Sequence, residues 1–196
     1  YVNTTYDPAQ SDKKLQTGTA YSAGLDLKYG INDAFTLDMT LIPDFGQVIS
    51  DKQVLNLSPF EVFFDENRQF FTEGTELFNK GNLFYSRRIG GSPLYYNDVF
   101  SQLKEGERIV NNPETTQLFN ATKISGRTKS GTGLGLFNAI VGEEYATIGR
   151  SDGTERQIKT NPLTNYNAFV IDQNLKNNSF ISVVNTNVLR EGSDYD

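Results

Sequence analysis

The chain contains no cysteine and no histidine. Without cysteine there is no disulfide framework, no thiol nucleophile and no thiolate metal site. The missing histidine excludes more, because it is the commonest general base and the commonest transition-metal ligand. A serine-histidine-acid triad or a histidine zinc site cannot be assembled from this chain alone. No cofactor is expected. Positive charge is also short, with 18 Lys and Arg against 24 Asp and Glu and a net charge of -6. Nucleic acid is therefore not an expected partner, since such binding needs a basic stripe. No run approaches the roughly 20 apolar residues of a transmembrane helix. What remains is rich in glycine, asparagine, threonine and tyrosine. That composition suits a soluble β-sandwich or an outer-membrane β-barrel.

The 196 residues suffice for one domain with a sizeable core. Residues 1–18 read as a loop. In 20–30 the odd positions Tyr21, Ala23, Leu25, Leu27 and Tyr29 alternate with Ser22, Gly24, Asp26 and Lys28. After a turn at Asn32-Asp33, Phe35, Leu37, Met39 and Leu41 alternate with Thr36, Asp38 and Thr40. Period 2 across a short connection predicts a β-hairpin with one apolar and one polar face. A membrane barrel strand and a half-buried soluble strand share this pattern. Strands are predicted again at 118–127, 132–141, 165–173 and 179–189, with a weaker hairpin near 145–160. Residues 90–116 read as a long loop, a feature ordinary on an outer-membrane barrel and unusual in a compact soluble domain. Gly131, Gly133 and Gly135 precede no helix, so they read as strand bends or close packing rather than a phosphate cradle.

The least ordinary stretch is 55–90. Phe60, Phe63, Phe64, Phe70, Phe71, Phe78, Phe84 and Tyr85 crowd around Glu61, Asp65, Glu66, Arg68, Glu73, Glu76, Arg87 and Arg88. The rings must be buried, and carboxylates that leave water must be paired. Gly74 and Gly81 interrupt any helix, so compact irregular structure with a helical turn or two is expected. The expected role is an internal plug-like segment spanning about 54–90. In that reading Arg68, Arg87 and Arg88 pair with Glu61, Asp65, Glu66 and Glu73 and hold the segment to a polar inner wall. Three alternatives stand beside it, the first being a ligand or metal site made of Glu61, Asp65, Glu66 and Glu73. Glu61, Glu66 and Glu73 are the clustered carboxylates from which a glycan-active hydrolase could draw its acid and base. A glycan-binding surface could use Tyr95, Tyr96 and loop aromatics.

The blocks LDLKYGINDAFTLDMTLIPDFGQV, LNLSPFEVFFDENRQFFTEG, LFYSRRIGG and NATKISGRTKSGTGLGLFNA occur in that order. The chain thereby resembles an uncharacterised family of Gram-negative envelope proteins common in Bacteroidota. The resemblance implies a signal peptide, a carbohydrate-binding-like module of the family 9 type, and then an outer-membrane barrel-like domain of unknown function. It implies no catalytic residues. On this reading residues 1–196 form one partial barrel domain, with the module and further strands lying outside it. The expected fold is all-β, an antiparallel outer-membrane-type barrel fragment with a partly helical internal segment. The expected location is the outer membrane of a Gram-negative bacterium. The expected partners are outer-membrane lipid, other envelope proteins, and glycan through the missing module.

Overall fold

A computed structural model describes residues 2–5, 16–19, 23–43 and 64–192. The fold is all-β and antiparallel, with little helix. Strands β1 (Val2–Thr5) and β2 (Gln16–Thr19) pair with each other. They lie within the stretch that reads from sequence as a loop; at four residues each, they are too short to carry a visible alternation.

Six strands make the main sheet: β3 (Leu25–Gly30), β4 (Phe35–Leu41), β6 (Leu118–Arg127), β7 (Thr132–Val141), β10 (Thr164–Asn174) and β11 (Phe180–Arg190). Their order is β11-β10-β7-β6-β4-β3, every neighbour antiparallel. These are the strands that the period-2 alternation predicts, within a residue or two except at the start of β3. Among the described residues the sheet is open, with β3 and β11 at its edges, and no closed barrel forms.

Between β4 and β6 the chain forms α1 (Gln69–Thr72), two single 3-10 turns at Lys80–Asn82 and Ser86–Arg88, α2 (Asp98–Ser101) and β5 (Arg108–Asn111). Between β7 and β10 it forms the hairpin β8 (Glu144–Gly149) and β9 (Glu155–Asn161). Strand β5 pairs with β8 to complete a separate three-stranded sheet. So the stretch 90–116 is not merely a loop. Its strand is four residues long and shows its partner only across the fold. Val99, Ala146, Ile148 and Ile158 form the core of this small lobe.

The two faces of the main sheet have opposite characters. One face is covered by residues 64–90, and there Phe71, Leu77, Phe78 and Ile89 meet Leu118, Ala121, Phe137, Ala139, Ala168 and Val170. Yet the same inner face also carries Lys28, Asp38, Lys123, Arg127 and Asp172. The other face presents Leu25, Leu27, Tyr29, Leu134, Leu136, Phe169, Ile171, Ile181 and Val183, all exposed. Tyr29 is 59% exposed and Ile181 60%. A water-soluble sheet with one solvated face is built the other way round, polar side out.

Candidate functional site

The chemistry on this chain gathers on the covered inner face. Lys28, Asp38 and Lys123 stand directly opposite one another on β3, β4 and β6. Lys28 Nζ lies 3.7 Å from Asp38 and donates to Glu73 at 2.7 Å. Lys123 is buried, 3.9 Å from Asp38, and donates to the carbonyl oxygens of Phe70 and Glu73. Its ammonium also sits 4.5 Å from the centre of the Phe70 ring. A lysine on the sheet thus closes the end of α1, where the carbonyls of so short a helix lack intrahelical partners.

A second junction surrounds Asp172 on β10, a wholly buried residue. It accepts from Lys80 of the covering segment, from Arg127 on β6 and from Ser182 on β11. Arg127 and Asp172 are two strands apart, and Gly133 of β7 stands opposite both. A Cβ at Gly133 would meet the Arg127 guanidinium at 3.2 Å and Leu77 at 2.9 Å. The missing side chain lets the guanidinium cross β7 and lets Leu77 descend onto the sheet. At Gly135 a Cβ would stand 3.0 Å from the Phe78 ring. Phe78 therefore sits close against the sheet backbone, 6.1 Å from Phe137 and 6.0 Å from Phe84, ring centre to ring centre. The close-packing role expected of these glycines is what the structure gives them.

The seven sequence candidates divide. Glu66, Arg68 and Arg87 come together within the covering segment. Buried Arg68 holds Glu66 with Nε and Nη2 at 2.8 and 2.6 Å, and donates to the carbonyls of Ile89 at 2.5 Å and Ser86 at 2.8 Å. Ser86 Oγ donates to Glu66 at 2.6 Å, and Arg87 lies 3.9 Å from it. This cluster ties residues 66–68 to 86–89, so it holds the segment to itself. Glu73 instead reaches the sheet through Lys28. Arg88 lies 5.7 Å from the Tyr85 ring centre, and its carbonyl accepts from Tyr166 on β10. Among the described residues Asp65 joins none of these clusters, while Glu61 lies outside the described residues. The links from segment to sheet run mainly through Lys28, Lys80, Lys123, Arg127 and Asp172, which the sequence reading did not single out.

Glu66 and Glu73 are both held below the usual carboxylate range. Burial would raise the Glu66 carboxyl, but hydrogen bonds from Arg68 and Ser86 outweigh it and hold it below the usual range. The Lys28 and Gln69 hydrogen bonds lower Glu73 as well. Neither is poised as a general acid, which needs a raised pKa. Among the described residues no group of three acidic side chains gathers to hold a metal. Tyr95 and Tyr96 are half-buried and form no exposed aromatic platform.

The small lobe carries its own ionic clamps. Glu107 accepts from Arg156 at 2.9 and 2.7 Å and from Arg150 at 3.3 Å. Arg156, the Lys104 backbone N–H and Arg150 hold its carboxyl down to about 2. Glu143, bonded to Lys159 and Tyr145, is likewise held down to about 2. Both folded values lie below the unfolded value of 4.5. Their stabilisation is therefore complete above pH 4.5 and is lost as pH falls towards 2. Amide exchange protection of β8 and β9, corrected for intrinsic rate, should be flat from about pH 8 to 5 and fall between about 4.5 and 2. Protection that persists unchanged to pH 2 would mean that these clamps contribute nothing.

No curated protein and no solved structure matches the chain. Residues 1–196 match one family over their whole length, and by that match the chain belongs to DUF5916, a domain of unknown function.

Proposed function

We propose that this chain is part of an outer-membrane β-barrel of a Gram-negative envelope, with residues 64–90 lying inside it as a plug. Its role is structural or transport-related: a plugged pore, or the barrel subunit of an envelope assembly whose partners are lipid and other envelope proteins. The observation that carries this reading is the course of the exposed apolar band across the sheet.

Cross-strand register sets the outward residues in rows. One row is Leu27, Met39, Thr122, Asn138, Asn167 and Asn187. The next, towards the tight turns, is Tyr29, Leu37, Ile124, Leu136, Phe169 and Asn185. The one after it holds Phe35, Gly126, Leu134, Ile171 and Val183. The apolar band does not follow these rows. It centres on Leu27 in β3, on Ile124 in β6, between Phe169 and Ile171 in β10, and between Val183 and Ile181 in β11. Asparagines take over behind it, one strand after another. The centre advances by about one residue per strand, or about 17 Å over the roughly 24 Å between β3 and β11. That slope is about 35°, within the tilt of strands to the axis of a membrane barrel. A level slab of hydrocarbon crossing tilted strands needs such a diagonal band, and a soluble partner surface does not. Ile140 and Leu189 stand apart beyond the asparagines, where with Leu163 and Asn165 they line an open pocket of about 270 Å³. The strands are of matching length, since β6, β7, β10 and β11 have 10, 10, 11 and 11 residues. No helix among the described residues is long and apolar enough to cross a membrane, and a barrel crosses with strands.

The test uses the full-length protein in isolated outer membranes. Run unboiled in mild detergent, it should migrate differently on a gel from the boiled sample. Recovery in the soluble fraction with no shift on boiling would sink the barrel reading.

A further inference from the structure

The barrel reading leaves open which way the barrel faces, and the connections between strands answer that. At one rim of the main sheet the strands are joined by three tight turns, at residues 31–34, 128–131 and 175–179. Each is closed by its own hydrogen bonds. Asn32 Oδ1 accepts from the backbone N–H groups of Ala34 and Phe35 at 2.8 and 3.0 Å. Gly131 N–H donates to Thr128 at 2.9 Å, and Leu175 N–H to Ser179 at 2.7 Å. Asn177 and Asn178 supply the positive φ angles, 59° and 57°, that so short a hairpin turn requires.

The opposite rim carries every long connection in the described sheet. Residues 42–117 join β4 to β6, and residues 142–163 join β7 to β10. Both rise into the three-stranded lobe, where β5 from the first connection pairs with β8 from the second. The lobe is fastened at that rim through the Asn161 side-chain amide of β9, which donates to the Gly142 carbonyl at 3.2 Å, and through Gln117 N–H, which donates to the Glu144 carboxylate of β8 at 3.0 Å. It has its own apolar core and its own ion pairs around Glu107, so it is a folded body standing on the rim. Outer-membrane barrels keep short turns on the periplasmic side and long loops outside.

We propose that the rim of tight turns faces the periplasm and that the lobe of β5, β8 and β9 is displayed on the cell surface. This rests on the barrel reading. It makes the lobe, rather than the sheet, the part that meets whatever approaches from outside.

The chain has no cysteine, so single cysteines report cleanly. Ser151→Cys marks the exposed β8–β9 turn, and Lys176→Cys marks the exposed β10–β11 turn. Each is placed in the full-length protein, with any cysteine outside this chain replaced by serine. Intact and osmotically permeabilised cells are treated with a small membrane-impermeant maleimide. Ser151→Cys should label equally in both, and Lys176→Cys at least about tenfold more after permeabilisation. The opposite pattern would reverse the orientation while leaving the barrel intact. Labelling of both variants in intact cells, or of neither, would equally overturn the surface lobe. Fractionation and the boiling shift are read on the same samples. Their failure would mark the loss of the barrel reading itself, separately from a wrong orientation.

Discussion

Replacing Ile171 with arginine should abolish or severely reduce assembly into the outer membrane. Ile171 points outward from β10 near the centre of the apolar band, with Leu134 on one side and Val183 on the other. Its side chain is 39% exposed. If that exposure is to lipid, a guanidinium there costs about 2–4 kcal/mol at mid-bilayer. If it is to water, the same substitution is worth within about 0.5 kcal/mol either way and improves solubility. The two readings thus differ in consequence as well as in size. Asn167→Lys, two rows away at the polar border of the band, is the matched control and should cost no more than about 1 kcal/mol, as charges near the interface do. The measurement is the yield of the heat-modifiable form in outer membranes, followed by its unfolding midpoint in urea. An Ile171→Arg protein that assembles like the parent would remove the lipid from this face. The diagonal band would then need another explanation.

Much of the fold is legible in the sequence because alternation is a local signal. Each of β4, β6, β7, β10 and β11 announces itself within its own 7–11 residues. Burial of one face and exposure of the other then follow from the pleat. The site is less legible, for a physical reason. Lys80 and Asp172 lie 92 residues apart, Arg127 and Asp172 45 apart, and their meeting depends on register across three strands. The sequence marks Lys28, Asp38, Lys123 and Asp172 only as the polar half of an alternating strand. That was the available signal: charged side chains on the polar face of long strands, opposite a segment too aromatic to stay in water. Arg68 was visible because Glu66 is two residues away. The same proximity makes the pair internal to the segment. The glycines at 133 and 135 could be read as close packing, but not what they receive. Only the fold sets Leu77 and Phe78 over them. The diagonal of the apolar band likewise belongs to no single strand, since it exists only once the six are in register.

Replacing Phe78 with alanine should free the covering segment from the sheet. Phe78 is 1% exposed and lies on the Gly135 backbone beside the paired rings of Phe137 and Phe84. Truncating a buried phenylalanine costs about 3–5 kcal/mol. Here the cavity would open directly beneath the segment, with little to refill it. The ionic junctions would remain, but they are poor substitutes. Lys80 keeps about a quarter of its side-chain surface in water and can be hydrated where it stands. Breaking the apolar seat should therefore loosen residues 64–90 while the strands, held by their own ladders, persist. Trypsin should then cut at Lys80, Arg87 or Arg88 in the detergent-solubilised variant and leave those bonds intact in the parent. In planar bilayers the variant should conduct where the parent does not, if the segment blocks the lumen of the closed barrel. Cleavage without conductance would make the segment a structural lining of the wall and the protein a barrel subunit rather than a pore. Neither cleavage nor conductance would mean that the segment is held elsewhere, and the two glycine seats would lose their assigned importance.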